Sequence, residues 1–184
     1  MLLSFSCDGQ NMNVLLHTCC APCASSCISV LRELGHTVTL FFSNANIAPE
    51  AEYQRRLESV HTLAERLTLA LLTDVTSHAD WLSHVAVGFE TEPERGRRCE
   101  RCFRYSLSRA HRAMEEHGFD AFTTSLTISP HKPSSLIFEI GRTLDDSRFL
   151  AIDFKKHDGF RRSVQLAAEM RLYRQSYCGC EFSL

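Results

Sequence analysis

The residues of this chain best suited to chemistry are its cysteines. Of nine, seven fall into three groups: Cys19, Cys20 and Cys23; Cys99 and Cys102; Cys178 and Cys180. Cys7 and Cys27 belong to none of these and read as bystanders, since free cysteines pack as small apolar side chains. An odd total excludes complete pairing into disulfides, and in a reducing compartment such thiols serve metals or redox chemistry instead. One Cys-x-x-Cys fits a zinc half-site or a dithiol pair equally, and the paired spacing of a zinc finger is absent. Seven thiols exceed the four that one zinc ion or one [4Fe–4S] cluster takes. The economical reading is one four-cysteine cluster and a second, smaller metal site. Consecutive side chains diverge, so Cys19 and Cys20 are expected to serve different metals.

Those sulfurs need elements that bring them together. Val14 to Thr18 is a short apolar run that reads as a buried strand and stops at Cys19. Pro22 and small residues then open a helix over 24–34, whose positive end favours thiolate and which Gly35 closes. Further strands are predicted over 37–42, 69–75, 119–127 and 149–154. Helices alternate with them over 50–67, 79–87, 102–117, 135–144 and 160–172, with Ser134 as a cap and Trp81 in the short one. The tail from Tyr173 to Cys180 has no periodicity. This alternation predicts an α/β fold: a doubly wound, mostly parallel sheet with helices on both faces. Such sheets bind ligands at the carboxyl ends of their strands, which is where Cys19 and Cys20 fall. Residues 1–13 read as an N-terminal extension, and 14–184 as one catalytic domain.

At 20.9 kDa the chain can bury a proper core without staples. Its net charge of −2 means that any nucleic-acid surface is a local patch. Neither a membrane span nor a secretory signal is present in the pattern, so the expected location is cytoplasmic, with no membrane partner. Basic residues gather near the cysteine groups: Arg95, Arg97, Arg98, Arg101 and Arg104, then Lys155, Lys156, Arg161 and Arg162, then Arg171 and Arg174. Phe42, Phe103, Tyr173 and Tyr177 are candidates to stack an extruded base.

The cysteine groups and their surroundings resemble the QueH family of epoxyqueuosine reductases. The resemblance is carried by Leu15-Leu16-His17-Thr18-Cys19-Cys20-Ala21-Pro22-Cys23, by Phe42-Ser43-Asn44-Ala45-Asn46-Ile47, and by Arg98-Cys99-Glu100-Arg101-Cys102-Phe103-Arg104. It continues through Thr124-Ser125-Leu126-Thr127-Ile128-Ser129-Pro130-His131-Lys132, Asp153-Phe154-Lys155-Lys156-His157-Asp158-Gly159 and Tyr173-Arg174-Gln175-Ser176-Tyr177-Cys178-Gly179-Cys180. Two positions depart from the family pattern. Some members carry an acidic residue where Cys23 stands, and Ser176 replaces an asparagine.

The resemblance implies a HUP-like α/β fold, a [4Fe–4S] cluster and an adjacent mononuclear metal, read as iron. It implies a tRNA partner carrying epoxyqueuosine at the wobble position, whose epoxide oxygen is removed to give queuosine. An external electron donor must refill the cluster. Four of Cys19, Cys20, Cys99, Cys102, Cys178 and Cys180 would hold the cluster, and the other two, with Cys23, the second metal. Asp153, Asp158 and His131 are the candidate proton donors, with His17 a further one or simply a buried, satisfied histidine. Two other readings stay open at this point. One is a metal-binding RNA module with structural thiols; the other is a dithiol oxidoreductase.

Overall fold

The computed structural model of the chain describes residues 11–183. Most of the expected extension, Cys7 included, lies outside them. Four strands, β1 (Asn13–His17), β2 (Thr37–Phe42), β3 (Leu71–Thr73) and β4 (Ala121–Thr124), form one parallel sheet. Their order is β3-β2-β1-β4, so β1 is flanked on both sides. Its Val14, Leu15 and Leu16 are wholly buried, which is why this run lacks the alternation of a half-exposed strand.

Helices cover both faces. On one side, Val14, Leu16, Leu40 and Phe42 pack on α1 (Ala21–Glu33), α2 (Glu50–Leu67) and α6 (Gly159–Glu169). On the other, Leu15, Phe41 and Phe122 pack on α4 (Arg97–His117) and α5 (Ser134–Asp145). The short α3 (His78–Trp81) runs into a π-helical turn at Leu82–Ala86. Around it a third, smaller core of Ala45, Trp81, Val85, Ala86 and Cys180 sits apart from the other two.

Three local expectations need correction. The predicted fifth strand is a single bridge, Phe122 to Phe149, because the chain turns away after Leu150 and Thr123 and Thr127 hydroxyls take the carbonyls of Leu150 and Ile152. Helix α4 begins at Arg97 rather than Cys102, so Cys99 and Cys102 share its first turns. Ser134 is the first residue of α5 rather than its cap, and its hydroxyl bonds Asp153 instead (2.9 Å).

The topology explains how the cysteines meet. In a parallel α/β sheet each crossover helix starts at the carboxyl edge of the strands. The N-termini of α1 and α4 therefore bring Cys19, Cys20, Cys23, Cys99 and Cys102 to that edge. The tail reaches it by running back along α2. Tyr173 N–H bonds Ser59 Oγ (3.1 Å), Tyr173 O–H bonds Glu52 (2.8 Å), and Tyr177 O–H bonds the Ala48 carbonyl (2.6 Å). Arg56, buried beside Glu52, donates to the carbonyls of Cys178 (2.9 Å) and Tyr177 (3.3 Å). Gly179 then passes so close that an added Cβ would lie 2.9 Å from Asn46 Nδ2, and its φ of +144° is one that side chains resist.

Candidate metal centre

The seven grouped sulfurs line one edge of the molecule in two sets. The Sγ atoms of Cys19, Cys20 and Cys23 lie within 4.8 Å of one another. Contrary to expectation, the adjacent pair converges: Cys19 Sγ and Cys20 Sγ are 3.9 Å apart. The chain turns there from strand to helix, with Cys20 at the cap of α1 in an extended conformation, so the usual divergence is lost. Cys99, Cys102, Cys178 and Cys180 line a small cavity of about 50 Å³, together with Trp81, Lys132 and His131. A larger cavity of about 400 Å³ opens beside both sets, with Cys19, Cys23, Cys102 and Cys178 in its wall.

Each set has its own donors. Ser125 Oγ bonds Cys19 Sγ (3.3 Å), Gln175 Nε2 donates to Cys20 Sγ (3.0 Å), and the Arg95 backbone N–H donates to Cys99 Sγ (3.2 Å). The electrostatics follow from this crowding. Cys20 and Cys23, bonded to Cys19, hold its thiol well below its ordinary value despite burial. The same bond to Cys19, with burial added, pushes Cys20 up to about 12, and Cys23 also rises well above its ordinary value. Burial pushes Cys102 up to about 12 and raises Cys99. Burial works against a charge on Lys132, but the sulfurs of Cys178, Cys19, Cys23 and Cys20 around it prevail and hold it protonated. One cation thus serves both sets.

The proposed proton donors separate. His131 stands at the mouth of both cavities, with Arg95 Nη2 donating to its Nδ1 (3.2 Å). Asp153 lies outside both cavity walls, tied to Ser134 and 3.8 Å from the Lys155 ammonium. Asp158 also lies outside them, exposed at the start of α6 in a left-handed conformation. His17 is 1% exposed and lines the large cavity, but both ring nitrogens are engaged, Nδ1 by Thr124 Oγ1 (2.9 Å) and Nε2 by the Ser43 carbonyl (3.1 Å). Burial lowers its pKa, which keeps the ring neutral.

Some expected RNA contacts are taken by the protein itself. Arg98 is 1% exposed and its guanidinium holds the carbonyls of Phe89, Glu90 and Glu92. Phe42 belongs to the main core. Phe103 and Tyr177 do reach the large cavity, as does Phe160, whose ring Arg174 covers at 6.0 Å. Lys132, Gln175, Trp81 and Phe160 carry no signal in the cysteine spacing. Lys132 and Gln175 do lie inside the stretches that carry the family resemblance.

Comparison with known proteins shows the family. The family model described as epoxyqueuosine reductase QueH matches residues 14–184. A protein named epoxyqueuosine reductase QueH from Streptococcus pyogenes serotype M1 is 37% identical over 179 residues, covering 93% of this chain and 70% of its own length. Another so named, from Staphylococcus epidermidis, is 33% identical over 186 residues, covering 96% of this chain and 78% of its own. A third, from Thermotoga maritima, is 34% identical over 177 residues, covering 93% and 90%. Among the described residues no helix is long and apolar enough to cross a membrane.

Proposed function

This chain belongs to the epoxyqueuosine reductase QueH family, and on that premise we propose that it removes the epoxide oxygen of epoxyqueuosine at the tRNA wobble position. The reaction breaks two C–O bonds, forms a C=C bond and releases water, consuming two electrons and two protons. The observation that carries the reading is that two sulfur sets open on one cavity of about 400 Å³, inside the usual range of roughly 300–1,000 Å³ for ligand sites.

The donor sets fit iron. Thiolates are soft ligands suited to iron–sulfur centres. A tetrahedral ion with metal–sulfur bonds of about 2.3 Å spaces its sulfurs by roughly 3.8 Å. The Cys19, Cys20 and Cys23 trio, within 4.8 Å, needs little adjustment to meet that spacing. Cys99, Cys102, Cys178 and Cys180 surround a cavity instead, which suits a cubane between them. We assign those four to a [4Fe–4S] cluster and the trio to the mononuclear metal. When bound, the cluster supplies electrons singly from an external donor, and a metal with an open position supplies Lewis acidity.

The chain's own residues do the rest. Lys132 offsets the negative charge of sulfurs from both sets. Phe103 and Leu126 give the cavity an apolar wall that limits water. Of the three candidate proton donors, His131 is the one that lines the cavities, while Asp153 and Asp158 lie outside their walls. Phe160, Arg174 and Tyr177 form a rim where a flipped base can stack. A dithiol oxidoreductase built on Cys99 and Cys102 fits less well, because such enzymes lower a thiol pKa and here both of these are raised.

The test is turnover. Anaerobically reconstituted protein with dithionite is given tRNA from a strain blocked at this step, and the digested nucleosides are analysed. Conversion of epoxyqueuosine to queuosine supports the assignment. Unchanged tRNA beside a fully loaded iron centre refutes it.

A further inference from the structure

Trp81 is the chain's single tryptophan, and it is 1% exposed. Its ring is gripped on two sides. His78 stacks at 5.6 Å with an interplanar angle of 16°, and Phe182 lies 6.4 Å away, tilted. His78 is itself pinned, with its ring nitrogens at the Ala45 carbonyl (2.8 Å) and the Glu181 carboxylate (3.1 Å). The indole is therefore locked in one orientation. In that orientation its Nε1–H is buried and completes no hydrogen bond among the described residues.

Cys102 packs against the same small core as the Trp81 ring. Burial pushes the Cys102 thiol up, and the indole N–H beside the sulfur is the main influence that pulls it down. The ring also lines the small cavity with Cys99, Cys102, Cys178 and Cys180. Leaving a buried donor unpaired is costly, and the sulfur of a neutral thiol is a weak acceptor. A metal-bound thiolate is a strong one. The site thus holds a rigid donor whose natural acceptor is the ligated form of Cys102.

We propose that Trp81 is a positioning residue for the iron–sulfur centre, its indole N–H donating to the Cys102 thiolate and raising the centre's reduction potential. This rests on the assignment of Cys102 as a cluster ligand. Reduction adds one electron from an external reductant, breaks no bond and leaves the indole proton on Nε1. The added negative charge spreads onto the thiolates, so a fixed N–H dipole favours the reduced state more than the oxidised one.

The experiment uses the reconstituted holoprotein and its Trp81→Phe variant, which keeps an aromatic ring but no N–H. Both are titrated with dithionite and mediators, followed by electron paramagnetic resonance and iron analysis. With iron content unchanged, the one-electron reduction constant of the variant falls about threefold to tenfold, a shift of up to ~59 mV to more negative potential. A fully loaded variant with an unaltered potential overturns the inference. Should the variant fail to load, the wild-type protein decides. With indole-¹⁵N-tryptophan, the reduced cluster shows a ¹⁵N coupling in pulsed resonance that only Trp81 can supply, and its absence overturns the inference equally. A wild-type chain that holds no cluster removes the proposed function and this inference together, whereas a cluster that does not sense Trp81 removes the inference alone.

Discussion

Replacing Arg56 by methionine should loosen the C-terminal cysteines without altering a sulfur. The Arg56 and Glu52 side chains are only 2% and 7% exposed, and their 2.7 Å ion pair sits against the tail. Arg56 also holds the Cys178 and Tyr177 carbonyls, and its guanidinium covers the Tyr177 ring at 5.0 Å. Removing one partner of a buried pair leaves the other charge uncompensated, at a cost of about 3–5 kcal/mol. Glu52→Gln is milder, about 1–3 kcal/mol, because Arg56 keeps its carbonyl acceptors. The double variant should cost less than the sum by roughly 0.5–3 kcal/mol, since no charge is then stranded. A typical domain stability of about 5–15 kcal/mol leaves the single variant folded enough to measure. Urea denaturation of the metal-free chain under reducing conditions gives the energies, and iron per chain after reconstitution gives the consequence for the site. A cost below about 1 kcal/mol for Arg56→Met, or strict additivity in the double variant, would refute the idea that this pair docks the tail.

Gly179→Ala should cost about 1–3 kcal/mol and lower the iron retained, because the φ of +144° is strained for alanine and its Cβ would meet Asn46 at 2.9 Å. Equal iron content and equal stability would contradict that. The stability of the metal-free chain should fall as pH rises from 9.0 towards 12, measured by denaturant titration at fixed ionic strength. Cys20 and Cys102 stay protonated in the fold up to about 12 but ionise near 9.0 once unfolded, so their stabilisation is complete below the lower value and lost towards the upper. Cys102→Ser should flatten part of that fall. Cys19, held below its usual value, should be the trio's first thiol alkylated by iodoacetamide near neutral pH in the metal-free protein, with peptide mass analysis as the readout.

The parts of this protein most legible in its sequence are those set by apolar pattern. Val14-Leu15-Leu16 reads as a central strand because both faces are covered, and the alternation of strands and helices fixes the parallel sheet. The place of Cys19 and Cys20 at the carboxyl edge is legible too, because the first strand ends there, whereas Cys99 reaches that edge through a helix that begins earlier than its apolar pattern. The tail is different. It is held by Glu52, which accepts from the Tyr173 hydroxyl, and by Arg56, which donates to the Cys178 carbonyl, partners more than a hundred residues away that no periodicity encodes. The meeting of the Cys19 and Cys20 sulfurs depends on one extended cap residue, so the residue pattern argues for the opposite. Arg98 reads as a surface cation because the Phe89, Glu90 and Glu92 carbonyls that bury it come from an aperiodic loop.

Mössbauer spectroscopy of protein reconstituted with ⁵⁷Fe, compared with Cys23→Ala and Cys180→Ala variants, puts the two-set arrangement to its most direct test. The expected spectrum has about five irons per chain, four in a cubane and one separate sulfur-bound ion. Cys23→Ala should erase only the single-ion component, and Cys180→Ala the cubane. A spectrum in which either change removes both components, or in which the two variants exchange roles, would contradict the division of these seven sulfurs.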